Sequence, residues 1–306
     1  MTMKMATGDI PAKLKGEFLE EYSTEQSVRK YTKGSAGNGI SYLLEHDYGR
    51  IYLDVLEKYV PKTRMQQGIR LLEFGCGAGM NLLHLVSVLE RRGIRVESAY
   101  GTDFSETLIE AANREAKKYL TSELAAKVRF CVAKNESLVG DLAKTLGSNR
   151  EALRGSFDLI FGVNTIRYCH RLMNENACVG DISDLLTDHG LCVVIDMNDK
   201  FPAFRSSIPD RINKDKEAYY LPSLEEYARP FSDAGFEILR KENFCWIPHS
   251  AGRGLTAVMR ALTPVLNTLV PSRAMRSLVI SRKNEKERRS VPVFLGQTGD
   301  RTRNNV

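Results

Sequence analysis

The sequence predicts an α/β fold in which a mostly parallel sheet is covered by helices on both faces. Three observations lead there. Short apolar runs alternate with longer segments of helical period between residues 69 and 197. One of these runs ends in glycines at alternate positions and opens directly into a helical segment, the strand–turn–helix arrangement of ligand-binding parallel sheets. The chain of 306 residues is 42% hydrophobic and 27% charged, close to the globular average of roughly 45–50% and 25%. That length suits one main domain with additions.

The elements follow in order. Residues 1–34 are polar and mixed, and Ser35-Ala36-Gly37-Asn38-Gly39 is a loop by composition. Leu44, Tyr48, Ile51, Tyr52, Val55, Leu56 and Tyr59 then recur at helical spacing and stop before Pro61. Ile69 to Phe74 reads as the first strand, and Met80 to Leu89 as the helix after its glycine turn. Val96 to Gly101 is the second strand. Ser105 is placed to cap the next helix, where Leu108, Ala112, Ala116 and Tyr119 share a face. Val128 to Val132, Phe157 to Val163 and Leu191 to Met197 are the third, fourth and fifth strands. The fifth follows a helix through Ile182, Leu185 and Leu186, with Gly190 at its stop.

Past Asn198 the rhythm changes. Pro202, Pro209 and Pro222 mark residues 198–222 as a loop-rich insertion. Ser223-x-x-Glu226 is a capping box, and Pro230 inside the helix it starts predicts a kink or break. Phe236 to Arg240 and Leu278 to Ser281 read as two final strands. Between them Gly254 to Val270 is apolar and interrupted by Pro264. Residues 285–306 are expected to be a disordered basic tail.

Composition excludes several classes. No apolar run approaches the ~18 residues of a membrane span, and the N-terminus lacks the apolar core of a secretory signal. A cytoplasmic protein is expected. The six cysteines form no C-x-x-C pair, so reduced buried thiols are expected rather than a zinc cage, and no metal is assigned. The net charge is +6, and seven Lys/Arg against three Asp/Glu from Arg282 onward place +4 of it in the tail. The body is near neutral, which argues against a nucleic-acid partner.

The stretch that carries chemistry is Glu73-Phe74-Gly75-Cys76-Gly77-Ala78-Gly79-Met80-Asn81. Alternate glycines let the backbone turn sharply and approach a ligand, and the helix behind presents free N–H groups. A dinucleotide fingerprint, G-x-G-x-x-G, needs a third glycine where Met80 stands. The spacing is G-x-G-x-G instead, with a carboxylate two residues before it, and this suits a cationic ligand.

Here the chain resembles the class I S-adenosylmethionine-dependent methyltransferases, over residues 65–200 and again at 221–284. The resemblance implies a Rossmann-like, mostly parallel seven-stranded sheet with an antiparallel last strand. It implies a helical lid over 1–62, an S-adenosylmethionine-binding domain over 63–284 and substrate-side insertions at 198–222 and 246–276. It implies that Gly75, Gly77 and Gly79 pack against the methionyl part of S-adenosylmethionine, with Glu73 holding its amino group and Cys76 and Asn81 lining the turn. Asp103 takes the place of the acid that binds both ribose hydroxyls, and Phe104 that of an adenine contact. In the third motif Lys134 stands where the family has an acid, so Asn135, whose carbonyl accepts hydrogen bonds, is assigned to the adenine amino group. Asn164 ends the fourth strand near the sulfonium position. It is followed by Thr165-Ile166, so the N/D-P-P-Y/F signature of DNA and glutamine-type methyltransferases is absent.

Methyl transfer from a sulfonium is an in-line displacement that depends on alignment, and a base is needed only where the acceptor must lose a proton. His170, after the fourth strand, and His249, after the sixth, are the candidate bases. His46, His84 and His189 read as lid, structural and solvated positions, and Asp196 and Asp199 as solvated loop acids. Tyr22, Tyr31, Tyr42, Tyr48, Phe201, Phe204, Tyr219 and Tyr220 enrich the lid segments, lining a pocket or merely covering the sheet. Arg205 and Arg211 are available to a substrate anion, and Gly254 to Val270 reads as a helix covering the sheet or pocket. The expected activity is methylation of a small-molecule acceptor at oxygen or nitrogen, and a homodimer is compatible with the sequence. The alternatives are a protein or nucleic-acid methyltransferase, a non-catalytic binding module, and a nucleotide-dependent oxidoreductase.

Overall fold

A computed structural model describes residues 41–202 and 221–284 of the chain. Seven strands are present: β1 (Ile69–Phe74), β2 (Val96–Asp103), β3 (Val128–Val132), β4 (Phe157–Val163), β5 (Leu186–Met197), β6 (Phe236–Phe244) and β7 (Arg276–Lys283). They form one sheet in the order β3-β2-β1-β4-β5-β7-β6. Pairings among β1 to β5 are parallel, and β7 runs antiparallel to both β5 and β6. The strand order reverses between β1 and β4, so a crevice opens at the carboxyl ends there.

The helices are α1 (Gly49–Tyr59), α2 (Lys62–Gln67), α3 (Met80–Arg91), α4 (Glu106–Tyr119), α5 (Ser122–Ala125), α6 (Leu138–Thr145), α7 (Arg150–Leu153), α8 (Ile166–Arg171), α9 (Glu175–Leu185), α10 (Leu224–Asp233) and α11 (Arg253–Leu269). A π-helical turn, Leu43–Tyr48, leads into α1. Successive strand residues face opposite sides, so the core divides in two. Leu71, Phe161 and Val193 pack with Leu82 and Leu85 of α3 and Tyr52 of α1. Leu72, Ile160 and Val194 pack with Leu142 of α6, Ile182 of α9 and Phe231 of α10. Both faces of the central strands are therefore buried, as a parallel sheet requires.

The opposite, amino edge is tied down by one carboxylate. Asp158 accepts from Arg64 Nε at 2.9 Å, from Arg64 Nη2 at 2.8 Å and from the Arg70 backbone N–H at 2.8 Å. This joins α2, β1 and β4 away from the crevice. All six cysteines are buried free thiols.

The Ser105 cap and the Ser223–Glu226 capping box form as expected. Several expectations are corrected. β5 begins at Leu186, so Gly190 lies inside the strand and does not stop a helix. The cause is an irregularity in register: Leu186 pairs with Phe157, and Leu191 pairs with Leu159. β2, β6 and β7 also run longer than their apolar cores. Neither proline breaks its helix. Pro230 falls in the last turn of α10, where the buried Tyr227 and Phe231 hold both sides of it. Past Pro264, Asn267 of α11 is anchored by Trp246 Nε1 at 2.7 Å.

The segment expected to cover the sheet or pocket is a helix, α11, whose large apolar side chains stay exposed. Leu255, Val258, Leu262, Val265 and Leu269 face outward. The helix meets the body instead through Asn267, Met259 and Arg260, which lies over the Tyr42 ring. Among the described residues no helix is long and apolar enough to cross a membrane. Residues 1–40 of the expected lid, 203–220 of the insertion and 285–306 of the tail lie outside the described residues. Tyr22, Tyr31, Phe204, Arg205, Arg211, Tyr219 and Tyr220 lie there with them.

Candidate active site

The carboxyl edge of the sheet has two halves. The first is built on β1 and β2. Gly75, Gly77 and Gly79 all adopt positive φ, at 63°, 54° and 78°. A side chain fails at Gly75 twice over, because an added Cβ would also lie 2.5 Å from the Thr165 side chain. At Gly79 it would lie 2.5 Å from the Phe130 ring. The turn is thus fixed by conformation and by close packing together.

Gly79 is the N-cap of α3 and has no side chain to offer its orphan N–H groups. Glu73 supplies the acceptor from the end of β1. Its Oε2 accepts from Leu82 N at 3.0 Å, and its Oε1 accepts from Asn81 Nδ2 at 3.1 Å. Glu73 is fully buried, and burial pushes its carboxyl up to about 8. Asn81 Oδ1 and the Tyr52 hydroxyl, close to Glu73, are buried without partners. Asp103 Oδ2 accepts from Gly77 N at 2.9 Å, and Oδ1 accepts from Ser105 N at 3.0 Å. The Phe104 N–H bonds this carboxylate as well, so three of its roughly four acceptor sites are taken and acceptor capacity remains. Burial raises this acid to about 6. Phe104 and Asn135 are half-buried at the ends of β2 and β3. Val132 pairs with Asp103 and exposes 40% of its surface, an apolar platform beside the acid. Cys76 is buried, with its Sγ turned to the Gly77 carbonyl.

The second half is built on β4, β5 and β7. Arg276, the first residue of β7, pairs with Met197, the last of β5, and is 3% exposed. Its Nη1 donates to Asn164 Oδ1, and its Nη2 donates to His249 Nε2 at 2.8 Å. Tyr48 Oη lies 3.0 Å from the same nitrogen. A guanidinium can only donate, so His249 Nε2 is an acceptor and the ring is neutral in this arrangement. Asn164 reaches Arg276 from a left-handed backbone, φ 57°, with its N–H on the Ile195 carbonyl at 2.8 Å. Asp47 bonds the Cys245 thiol next to this cluster, and burial raises its carboxyl.

His249 and Asn164 are thus brought together by residues that spacing did not single out. Arg276 is absent from the sequence reading, and Tyr48 stands there among the lid aromatics and on the apolar face of a helix. An arginine opening a strand with the apolar centre Leu278-Val279-Ile280 is the signal that marks Arg276. His170 lies apart on α8, half-buried and within electrostatic reach of Glu226 of α10. Asp196 is a correction. It is fully buried, because β5 and its pairing with β7 extend through it. Its oxygens accept from the Arg167 and Met197 N–H groups at 3.1 and 2.9 Å, with Arg167 Nε 3.7 Å away. Burial raises this acid, and the Arg167 charge opposes the rise. Asp199 is half-buried.

The first half fits S-adenosylmethionine. The Asp103 oxygens keep acceptor capacity, and Asn81 and Tyr52 hold buried polar atoms without partners. Residues 65–247 match the family described as methyltransferase domain. Over 68 residues, 22% of its length, the chain is 40% identical to the citrinin polyketide synthases of Monascus ruber and Monascus purpureus, and it spans 2% of those relatives. Among solved structures it resembles magnesium protoporphyrin IX methyltransferase from Synechocystis, with TM-score 0.55, 12% identity and coverage of 88% and 100% of the two chains. It also resembles the citrinin polyketide synthase CMeT domain, with TM-score 0.52, 19% identity and coverage of 86% and 58%. A third is phosphoethanolamine N-methyltransferase 2 from Haemonchus contortus, with TM-score 0.53, 14% identity and coverage of 88% and 60%. The family match takes in the glycine turn, Asp103 and Asn164, and leaves Tyr48, His249 and Arg276 outside it. The chain belongs to the methyltransferase domain family.

Proposed function

We propose that this enzyme methylates a small-molecule acceptor at oxygen or nitrogen, held over the ends of β4, β5 and β7. The observation that carries the reading is the division of the carboxyl edge. The glycine turn and Asp103 occupy one half, and the buried cluster of Tyr48, Asn164, His249 and Arg276 occupies the other. S-adenosylmethionine supplies an activated methyl group on a sulfonium. Asp103 would receive its ribose hydroxyls, Val132, Phe104 and Asn135 would hold its adenine, and Asn81, positioned by Glu73, would offer its carbonyl to the amino group. Asn164 stands at the boundary of the two halves and aligns donor and acceptor. His249 acts through Arg276 and positions it, because its Nε2 lone pair already accepts the guanidinium.

A small acceptor agrees with the near-neutral body of the chain. It also agrees with two of the similar structures, which are named for magnesium protoporphyrin IX and phosphoethanolamine. Residues 41–62 and the loop carrying His249 complete the acceptor side in this reading.

The test has two parts. Thermal shift with S-adenosylmethionine, S-adenosylhomocysteine, NAD and NADP is expected to stabilise the protein with the adenosyl ligands only, an effect lost in Asp103→Ala. Incubation with methyl-labelled donor and separate pools of small metabolites, peptides and RNA is expected to label the metabolite pool. Label only in peptide or RNA overturns the acceptor class.

A further inference from the structure

Arg276 brings a fixed positive charge into the acceptor half. Its guanidinium is buried, and its Nη1 and Nη2 donate to Asn164 and His249, both uncharged acceptors. Its Nε is buried with no partner. Among the described residues no carboxylate lies within ion-pair distance of it. Asp196, the acid whose field it shares, is taken up by Arg167 and by two backbone N–H groups. Asp47 bonds the Cys245 thiol, and burial shifts it toward its neutral form. A guanidinium keeps its proton at any ordinary pH, so this charge stays buried without a counter-ion of its own. Such an arrangement is costly, and a ligand that carries the missing negative charge relieves it.

We propose that Arg276 is the receptor for a carboxylate on the methyl acceptor, so that the enzyme selects acceptors bearing an ionised carboxyl group near the atom that receives the methyl. The proposal rests on the reading of the β4–β5–β7 edge as the acceptor side. The planar fork of a guanidinium matches a carboxylate geometrically. Asn164 and His249 fix the plane of that fork by holding one terminal nitrogen each, and the unpartnered Nε remains for the incoming anion. A neutral acceptor leaves the charge uncompensated and is discriminated against.

Calorimetry on the full chain tests this. S-adenosylhomocysteine is titrated first, then its decarboxylated analogue. The protein saturated with S-adenosylhomocysteine is next titrated with benzoate and salicylate and with their neutral isosteres, benzamide and salicylamide. Both carboxylates are expected to bind about tenfold or more tighter than the amides. Arg276→Lys is expected to keep most of that preference and Arg276→Gln to lose it. Equal binding of acid and amide, no binding of either acid, or a preference that survives in Arg276→Gln overturns the proposal. The wild-type comparison of acid with amide decides even where Arg276→Gln fails to fold. A tenfold loss of S-adenosylhomocysteine affinity in Arg276→Gln, with the decarboxylated analogue unaffected, assigns Arg276 to the donor's carboxylate and also overturns it. Failure of the wild type to bind S-adenosylhomocysteine overturns the assignment of the cofactor half as well, and so is distinguishable from failure of this inference alone.

Discussion

Asn164 and Arg276 stand 112 residues apart in the chain and meet at the carboxyl edge of the sheet, where the arginine reaches past the end of β5 to the residue that follows β4. Asn164 holds a left-handed backbone to make that contact. Asparagine tolerates this conformation better than any residue except glycine. Asn164→Ala removes the acceptor and keeps the strained backbone, and it is expected to cost about 2–3 kcal/mol in urea unfolding. Asn164→Gly removes the same acceptor without the strain, and it is expected to cost about 1 kcal/mol less. Equal losses in the two variants would show that the left-handed turn stores no strain.

Glu73 makes stability depend on pH in a direction opposite to that of an ordinary surface acid. Burial raises its folded-state carboxyl from about 4.5 to about 8. Between those values the unfolded chain has already released the proton that the folded chain still holds. Its contribution is therefore fully present below about pH 4.5 and is lost as pH rises through about 8, by a few kcal/mol in all. Glu73→Gln is expected to flatten the profile of unfolding free energy between about pH 5 and 8. A variant profile that falls as steeply as the wild type would rule out Glu73 as the titrating group.

Asp103 links cofactor affinity to pH. Burial lifts it to about 6, and in the proposed reading the ionised form is the one that would accept ribose hydroxyls. Binding of S-adenosylhomocysteine is expected to tighten by about tenfold between pH 5 and 7, with uptake of base by the complex as the acid ionises. Calorimetry in buffers of different ionisation enthalpy measures the released proton directly. In Asp103→Asn the affinity is expected to be weaker and independent of pH over this range.

At the far edge, Asp158 is a structural clamp with no part in the chemistry. Arg64 donates to it twice, and the Arg70 N–H donates once. Asp158→Ala leaves a partly buried guanidinium and a backbone donor unsatisfied. A loss of about 2–3 kcal/mol is expected in urea unfolding, with S-adenosylhomocysteine affinity unchanged under folding conditions. A tenfold loss of affinity would mean that the two edges are coupled through β4.

The halves of the site differ in how far the sequence shows them. Glu73, the three glycines and Asp103 are legible because a sharp turn from strand to helix demands local residue types at fixed spacing. Glu73 reads there as a ligand for the cofactor's amino group. The structure turns both its oxygens to α3, because Gly79 leaves that helix without a side-chain cap. The acceptor half has no such local grammar. Tyr48 meets His249 across 201 residues, and neither has a motif around it. Arg276 enters the site only because β7 is antiparallel and starts where the other strands end. Asp196 reads as a loop acid because the apolar run stops beside it, yet pairing with β7 carries the strand through it.

His249 and His170, alike as candidates in the sequence, are expected to separate in kinetics. His249 Nε2 accepts from Arg276 and lies beside the Tyr48 hydroxyl, so it holds the guanidinium in place and has no free lone pair there for a proton. With the acceptor found by methyl labelling, His249→Ala is expected to lower kcat/KM by about tenfold without removing a limb of its pH profile. His249→Gln, which keeps an acceptor atom, is expected to recover most of that loss. A general base would instead cost about 10²–10⁴-fold, its pH limb would vanish, and glutamine would not rescue it. His170, held near Glu226 on α8, is expected to tolerate alanine within about threefold. A large loss at His170 with its own pH limb would move the proton chemistry to α8 and away from the Arg276 cluster.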